Sequence, residues 1–189
     1  MNYLQAKFEL QDAPFEYKQA IDYLLAQQRK KEVKALKISN PYKLASMFRA
    51  KKDGRKYLNY IYSAGSKLIA SNGHIAVEID HVAPEGYYDD MGAPLSGIEY
   101  KYPSGMFERV FSAEGERVDI EFKDGTEKVQ RVGKKEYFTK LTFGKFALNK
   151  CYVDLFKKAG ATGGVYNGFT LVIGLPQHNA RGIIMPLRS

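Results

Sequence analysis

Cysteine is nearly absent: Cys151 is the only one in 189 residues. No intrachain disulfide can form and a cysteine-based zinc site is excluded, so a reducing, cytoplasmic setting is the expectation. Tryptophan is missing, and the only histidines are His74, His81 and His178. Their spacing matches neither HExxH nor any other metal pattern, so no metal is expected. No run of about 18 apolar residues occurs, which argues against a membrane span. The opening MNYLQAKFELQD lacks the apolar stretch of a secretory signal. There is no GxSxG elbow. The Gly-rich stretch 160–164 follows a helix pattern rather than a strand and lacks the GK[ST] ending of a phosphate-binding loop. Catalytic residues and cofactors are therefore expected to be none.

What is present fits one globular domain with an appendage. Hydrophobic residues make up 44% of the chain, enough for a core, and charged residues 26%, normal for a soluble surface. The net charge of +8 is unevenly placed. Residues 1–56 carry 13 Lys/Arg against 6 Asp/Glu, and residues 57–189 carry 16 against 15. Concentrated positive charge favours phosphate contact through counterion release; the plainer reading is a solvated basic helix.

Patterning predicts a basic N-terminal helix over roughly 14–35, within an appendage of residues 1–37. A second helix is expected over 41–52, with Asn40 as cap and Pro41 in the first helical position. Its apolar stripe is Leu44, Met47 and Phe48. Short strands follow in KYLNYIYS, KLIASN and HIAVEI. Tyr57, Tyr60 and Tyr62 sit there beside Arg55 and Lys56, which suits either a core face or a base-stacking platform. Residues 83–105 read as a long loop, and MFERVF as a strand end or one helical turn. The sequence 117–132 reads as a hairpin turning at Asp124-Gly125. A third helix is expected in ALNKCYVDLFKKAG, with Leu148, Cys151, Tyr152, Leu155, Phe156 and Ala159 on its buried face. Two strands close the chain. Helix-then-hairpin occurs twice, at 41–79 and 146–187, which predicts a pseudo-symmetric α+β domain over 38–189.

The segment GRKYLNYIYSAGSKLIASNGHIAVEI, residues 54–79, resembles the central domain of the bacterial DNA polymerase III beta subunit, the sliding clamp. In that family an R-Y-Y-L-N-G phrase leads through a hairpin to T-D-G-H-R-L-A. The ending ARGIIMPLRS resembles the clamp's C-terminal strand, YPSGMFERVF its F/Y-P-D-F/Y-x-R-V phrase, and CYVDLFKKAG the helix of its last domain. The resemblance covers about half the chain, and a clamp is about twice as long. It implies a short, single-domain version of the kind a phage or mobile element encodes, with two helices packed on antiparallel sheet.

The resemblance also implies a role. Clamps do no chemistry; basic helices face duplex DNA, and partners in replication or repair insert short linear peptides into an apolar pocket. Carried over by residue, Lys43, Arg49, Lys52 and Lys56 become DNA-contact candidates. Asn72, Gly73, His74 and Ile75, with Met185, Pro186, Leu187 and Arg188, become the peptide-pocket candidates. Ile75 stands where the family usually has Arg, so charge is lost from one rim. A ring would require a homo-oligomer. The alternatives are a clamp-fold interaction module without DNA binding, and a metal-dependent enzyme on nucleic acid using Glu85, Asp89, Asp90 and Glu99.

Overall fold

The structure, a computed structural model, describes residues 40–99, 102, 106–113, 115, 117–132 and 136–187. The chain divides into residues 1–37 and 38–189, and every described residue belongs to the second unit. The expected 14–35 helix and Arg188 lie outside the described residues.

Asn40 starts helix α1 (Pro41–Ser46): its side-chain oxygen accepts from the Tyr42 N–H at 2.9 Å, and Pro41 takes the first helical position. The helix ends well short of Lys52. The reason lies just beyond it. The Ala50 N–H donates to the carbonyls of Leu58 and Ser71, which bends the chain onto the sheet, and Arg49 is held by Asp90.

Strands β1 (Ile61–Ser63), β2 (Lys67–Ser71) and β3 (Ile75–Asp80) follow, then β4 (Gly86–Tyr88) and β5 (Pro94–Leu95). The stretch before β1 is a 3-10 turn at Lys56–Asn59 rather than strand. The 83–105 region thus contains two strands, and MFERVF is helix α2 (Met106–Phe111). Next come β6 (Val118–Glu121), β7 (Thr126–Val132), β8 (Glu136–Phe143), β9 (Phe146–Asn149) and helix α3 (Lys150–Lys158). Strands β10 (Gly163–Tyr166), β11 (Leu171–Leu175) and β12 (Ala180–Ile184) complete the unit.

The architecture is α+β and dominated by antiparallel sheet. Among the described residues, nine strands run in the order β5-β4-β1-β2-β3-β12-β11-β10-β6, and a second sheet runs β7-β8-β9. Through its centre the large sheet reads alike from either side. Strands β3, β2 and β1 fan out one way and β12, β11 and β10 the other, each set preceded by a helix. The pairing of β3 with β12, with Ile75 opposite Ile184, joins the halves.

No hairpin forms at Asp124-Gly125. Strand β6 pairs with β10, and β7 pairs with β8. A two-residue hairpin of that type needs positive φ at both central positions, but Gly125 has φ −72. Its lack of a side chain serves a different end, since a Cβ there would lie 2.6 Å from the Phe143 ring.

Period-2 alternation splits the large sheet into two apolar faces. Leu68, Ala70, Ile75, Val77, Ile173 and Ile184 face a core shared with Leu44, Phe48, Val153 and Phe156. The rings of Phe48 and Phe156 lie 4.6 Å apart, so both helices cover one face. The other face, with Tyr62, Ile69, Ala76 and Ile183, is covered by Tyr102 and Phe107, with Ile98 and Phe111 alongside. Cys151 is exposed rather than buried; Val153 takes the inward position.

One charge lies deep in this second face. Glu78 is 4% exposed and is matched by Lys67 at 2.5 Å and Arg181 at 2.8 Å. Arg181 also bonds Glu108 of α2 at 2.9 Å and lies over the Phe111 ring. The network fastens α2 to the sheet beside an open cleft of about 360 Å³.

Candidate functional site

The β2–β3 turn is built by short polar side chains. Ser71 Oγ accepts from the Gly73 N–H at 3.0 Å and donates to the Ile75 carbonyl at 2.8 Å. Asn72 Oδ1 accepts from the N–H groups of His74 and Ile75. Gly73 has φ +88, the left-handed region that favours glycine. The turn is thereby fixed with the His74 carbonyl pointing at the chain after β12.

That carbonyl accepts from the Met185 N–H at 2.9 Å. Two residues on, the Leu187 N–H donates to the Ala147 carbonyl of β9 at 2.8 Å. The 185–187 tail therefore bridges the edge of the small sheet and the turn of the large one. Asn72, Gly73, His74, Met185, Pro186 and Leu187 are brought together, although 110 or so residues separate the two phrases. Met185 is 49% exposed, an apolar side chain presented to solvent. Ile75 does not belong to the rim: at 1% exposure it is part of the helix-side core.

Two further residues complete the surface. Tyr152 of α3 lies parallel to His74, with ring centroids 6.0 Å apart. Burial raises the Tyr152 hydroxyl's pKa, against the pull of its hydrogen bond with Asn72. Arg55 lies over Gly73, where a Cβ would stand 2.8 Å from its guanidinium. Arg55 is itself gripped by Asp53 through two side-chain bonds of 3.0 Å. Arg55's hydrogen bonds hold the Asp53 carboxyl down to about 2. The Arg55 guanidinium thus stands beside this turn. Neither residue was legible as part of the site: Tyr152 reads only as a core residue, and nothing in local spacing links position 55 to 73.

The basic candidates separate into two kinds. Lys43, Lys52 and Lys56 are exposed. Arg49 is not available for phosphate. Its Nε and Nη2 each bond Asp90 at 2.7 Å, and Nη1 bonds the carbonyls of Ala50 and Asn59. It acts as a rivet between the helix end and the acidic loop. The tyrosine run is also core: Tyr62 is buried, and Tyr57 and Tyr60 pack against the same cluster. Burial, then the bond to Glu85, pushes the Tyr62 hydroxyl up to about 12.

Three of the acidic residues of the 85–99 loop, Glu85, Asp89 and Asp90, serve local structure. Asp89 accepts the N–H groups of Met91 and Ala93, and Asp90 holds Arg49. Among the described residues no group of three or more His, Cys, Asp or Glu side chains is placed to hold a metal. Nor, among them, is any helix long and apolar enough to cross a membrane. Comparison with protein-family models gives no match, and none of the curated proteins matches the chain.

Proposed function

We propose that this chain is a non-catalytic, cytoplasmic accessory protein of DNA replication or repair, built as a single sliding-clamp-like domain. In this reading it touches duplex DNA weakly and without sequence preference, and it docks partner proteins through short linear peptides at the turn-and-tail surface. The observation that carries it is the Met185 N–H bond to the His74 carbonyl. Two phrases that resemble clamp motifs are adjacent in space while distant in sequence. The doubled helix-and-three-strand arrangement around β3 and β12 supports the same reading.

The peptide arm is tested by selecting short linear peptides against the full chain from a random library. Enrichment of apolar sequences by wild type, lost with Met185→Asp, is the supporting result. Met185 is half exposed and its backbone bond survives the change, so folding is retained. Equal enrichment by both proteins removes the site. Leu187→Asp is the harsher companion, because the tail at 187 is also tied to β9.

A second reading, a peptide-docking module of the same fold without DNA contact, is favoured by one observation: Arg49 is consumed by Asp90. Titration of a duplex at low salt separates the two. Binding that weakens when Lys43, Lys52 and Lys56 are changed together to Glu supports the first reading, and no binding by wild type leaves the second.

A further inference from the structure

The two sheets present strand edges of unequal character. Strand β5 is two residues with a proline, a poor template. The tail occupies β9 through the Leu187 bond. Strand β6 reads Val-Asp-Ile-Glu, and pairing it with itself around Ile120 sets Asp119 opposite Glu121, acid against acid. Strand β7 is different. It is seven residues long, and among the described residues no strand lies on its outer side. At its midpoint Val129 is 71% exposed, an apolar side chain where edges are ordinarily guarded by charge.

An antiparallel pair of identical strands is related by a two-fold axis. Side chains must stay on matching faces, so the axis passes through a residue position. Centred on residue 127, 128 or 131, the pairing puts Glu on Glu, Lys on Lys or Arg on Arg. Centred on 130, every charge faces an uncharged position. Centred on 129, Val129 meets its own copy, and position 127, an acid, takes the register of position 131, a base, on both sides of the axis. Lys128 then lies opposite Gln130. This register alone gives opposite-charge cross-strand pairs, two per dimer, with an apolar pair between them.

We infer that β7 is a self-association edge, through which two copies of this chain join antiparallel about Val129 to make one continuous six-stranded sheet. This does not rest on the docking or DNA readings. A single strand pair buries little area, so the dimer is weak and concentration-dependent.

Sedimentation velocity of the full chain, from about 5 to about 500 µM, tests it. The expected result is a monomer–dimer equilibrium. Glu127→Arg and Arg131→Glu should each raise the dissociation constant about tenfold by setting like charges opposite one another. The double variant should restore it. Glu127 also lies 3.8 Å from Lys150, so thermal unfolding of each variant is measured alongside; loss of dimer with an unchanged midpoint, rescued by the swap, is the signature. A monomer throughout the range, or a dimer indifferent to both single changes, overturns the inference.

Discussion

Gly73 answers two demands at once. Its φ of +88 is strained for any residue with a side chain, and the Arg55 guanidinium occupies the space a Cβ needs. Gly73→Ala should cost about 2 kcal/mol in denaturant unfolding and push Arg55 off the turn. The same guanidinium governs an acid-side effect. The folded-state value of Asp53, about 2, lies below the ~3.9 of an unfolded chain. Its contribution is therefore complete above about pH 4 and fades as pH falls towards 2. The melting temperature of Asp53→Asn should fall below wild type at pH 7, and the two curves should converge near pH 2. A constant offset across that range would mean the carboxylate acts without its charge.

At the scale of elements, what the sequence reveals depends on whether a residue's reason is local. Asn40 caps its helix through its own neighbours' N–H groups, and that start is readable. Asn149 caps α3 the same way, but the pattern carries the expected helix back to Ala147, and Leu148, expected on its buried face, lies in β9. The end of α1 is set by Ala50 reaching Leu58 and Ser71, partners 8 and 21 positions away, and no local signal marks it. A glycine is ambiguous in the same way. In Asp124-Gly125 it mimics turn chemistry, while its use is to admit the Phe143 ring. Cys151 falls one position off the stripe that Tyr152, Val153 and Phe156 define, since each residue turns the helix by about 100° and Val153 and Phe156 take the inward positions. Gly182 shows such a close approach between a helix and the sheet. A Cβ there would stand 2.3 Å from the Phe156 ring that fills the space between α3 and β12. Gly182→Ala should cost about 1–3 kcal/mol by overpacking, read as a lower denaturant midpoint with an unchanged slope. A pairing with Phe156→Leu, which makes room, should return part of the loss.

For the molecule as a whole, the doubling of helix and strands is legible because a helix pattern followed by strand patterns occurs twice, at 41–79 and 146–187. The distant approach of His74 and Met185 was legible only through resemblance, since nothing in either phrase names the other. The electrostatic reach of the domain can be read from its basic segment. Residues 38–56 hold six Lys/Arg against one Asp/Glu, and two of the six cations, Arg49 and Arg55, are held by Asp90 and Asp53. If Lys43, Lys52 and Lys56 each meet one phosphate, the log–log salt dependence of duplex binding should have a slope of about −3. Replacing any one by Ala should reduce the slope by about 1, measured by fluorescence anisotropy over a salt series. A slope unmoved by all three replacements would place the contact elsewhere.

The joining of β3 to β12 bears on how the chain reaches this state. Glu78 and Arg181, opposite each other in the central pair, are 103 positions apart. The middle of the sheet cannot close until residues 180–184 have left the ribosome, and the loop to be closed spans most of the domain. Until then β3, which β12 will flank, stays open on one side. Folding should accordingly be slow for a domain of this size, and a nascent chain stalled before residue 180 should remain protease-sensitive and recruit chaperones.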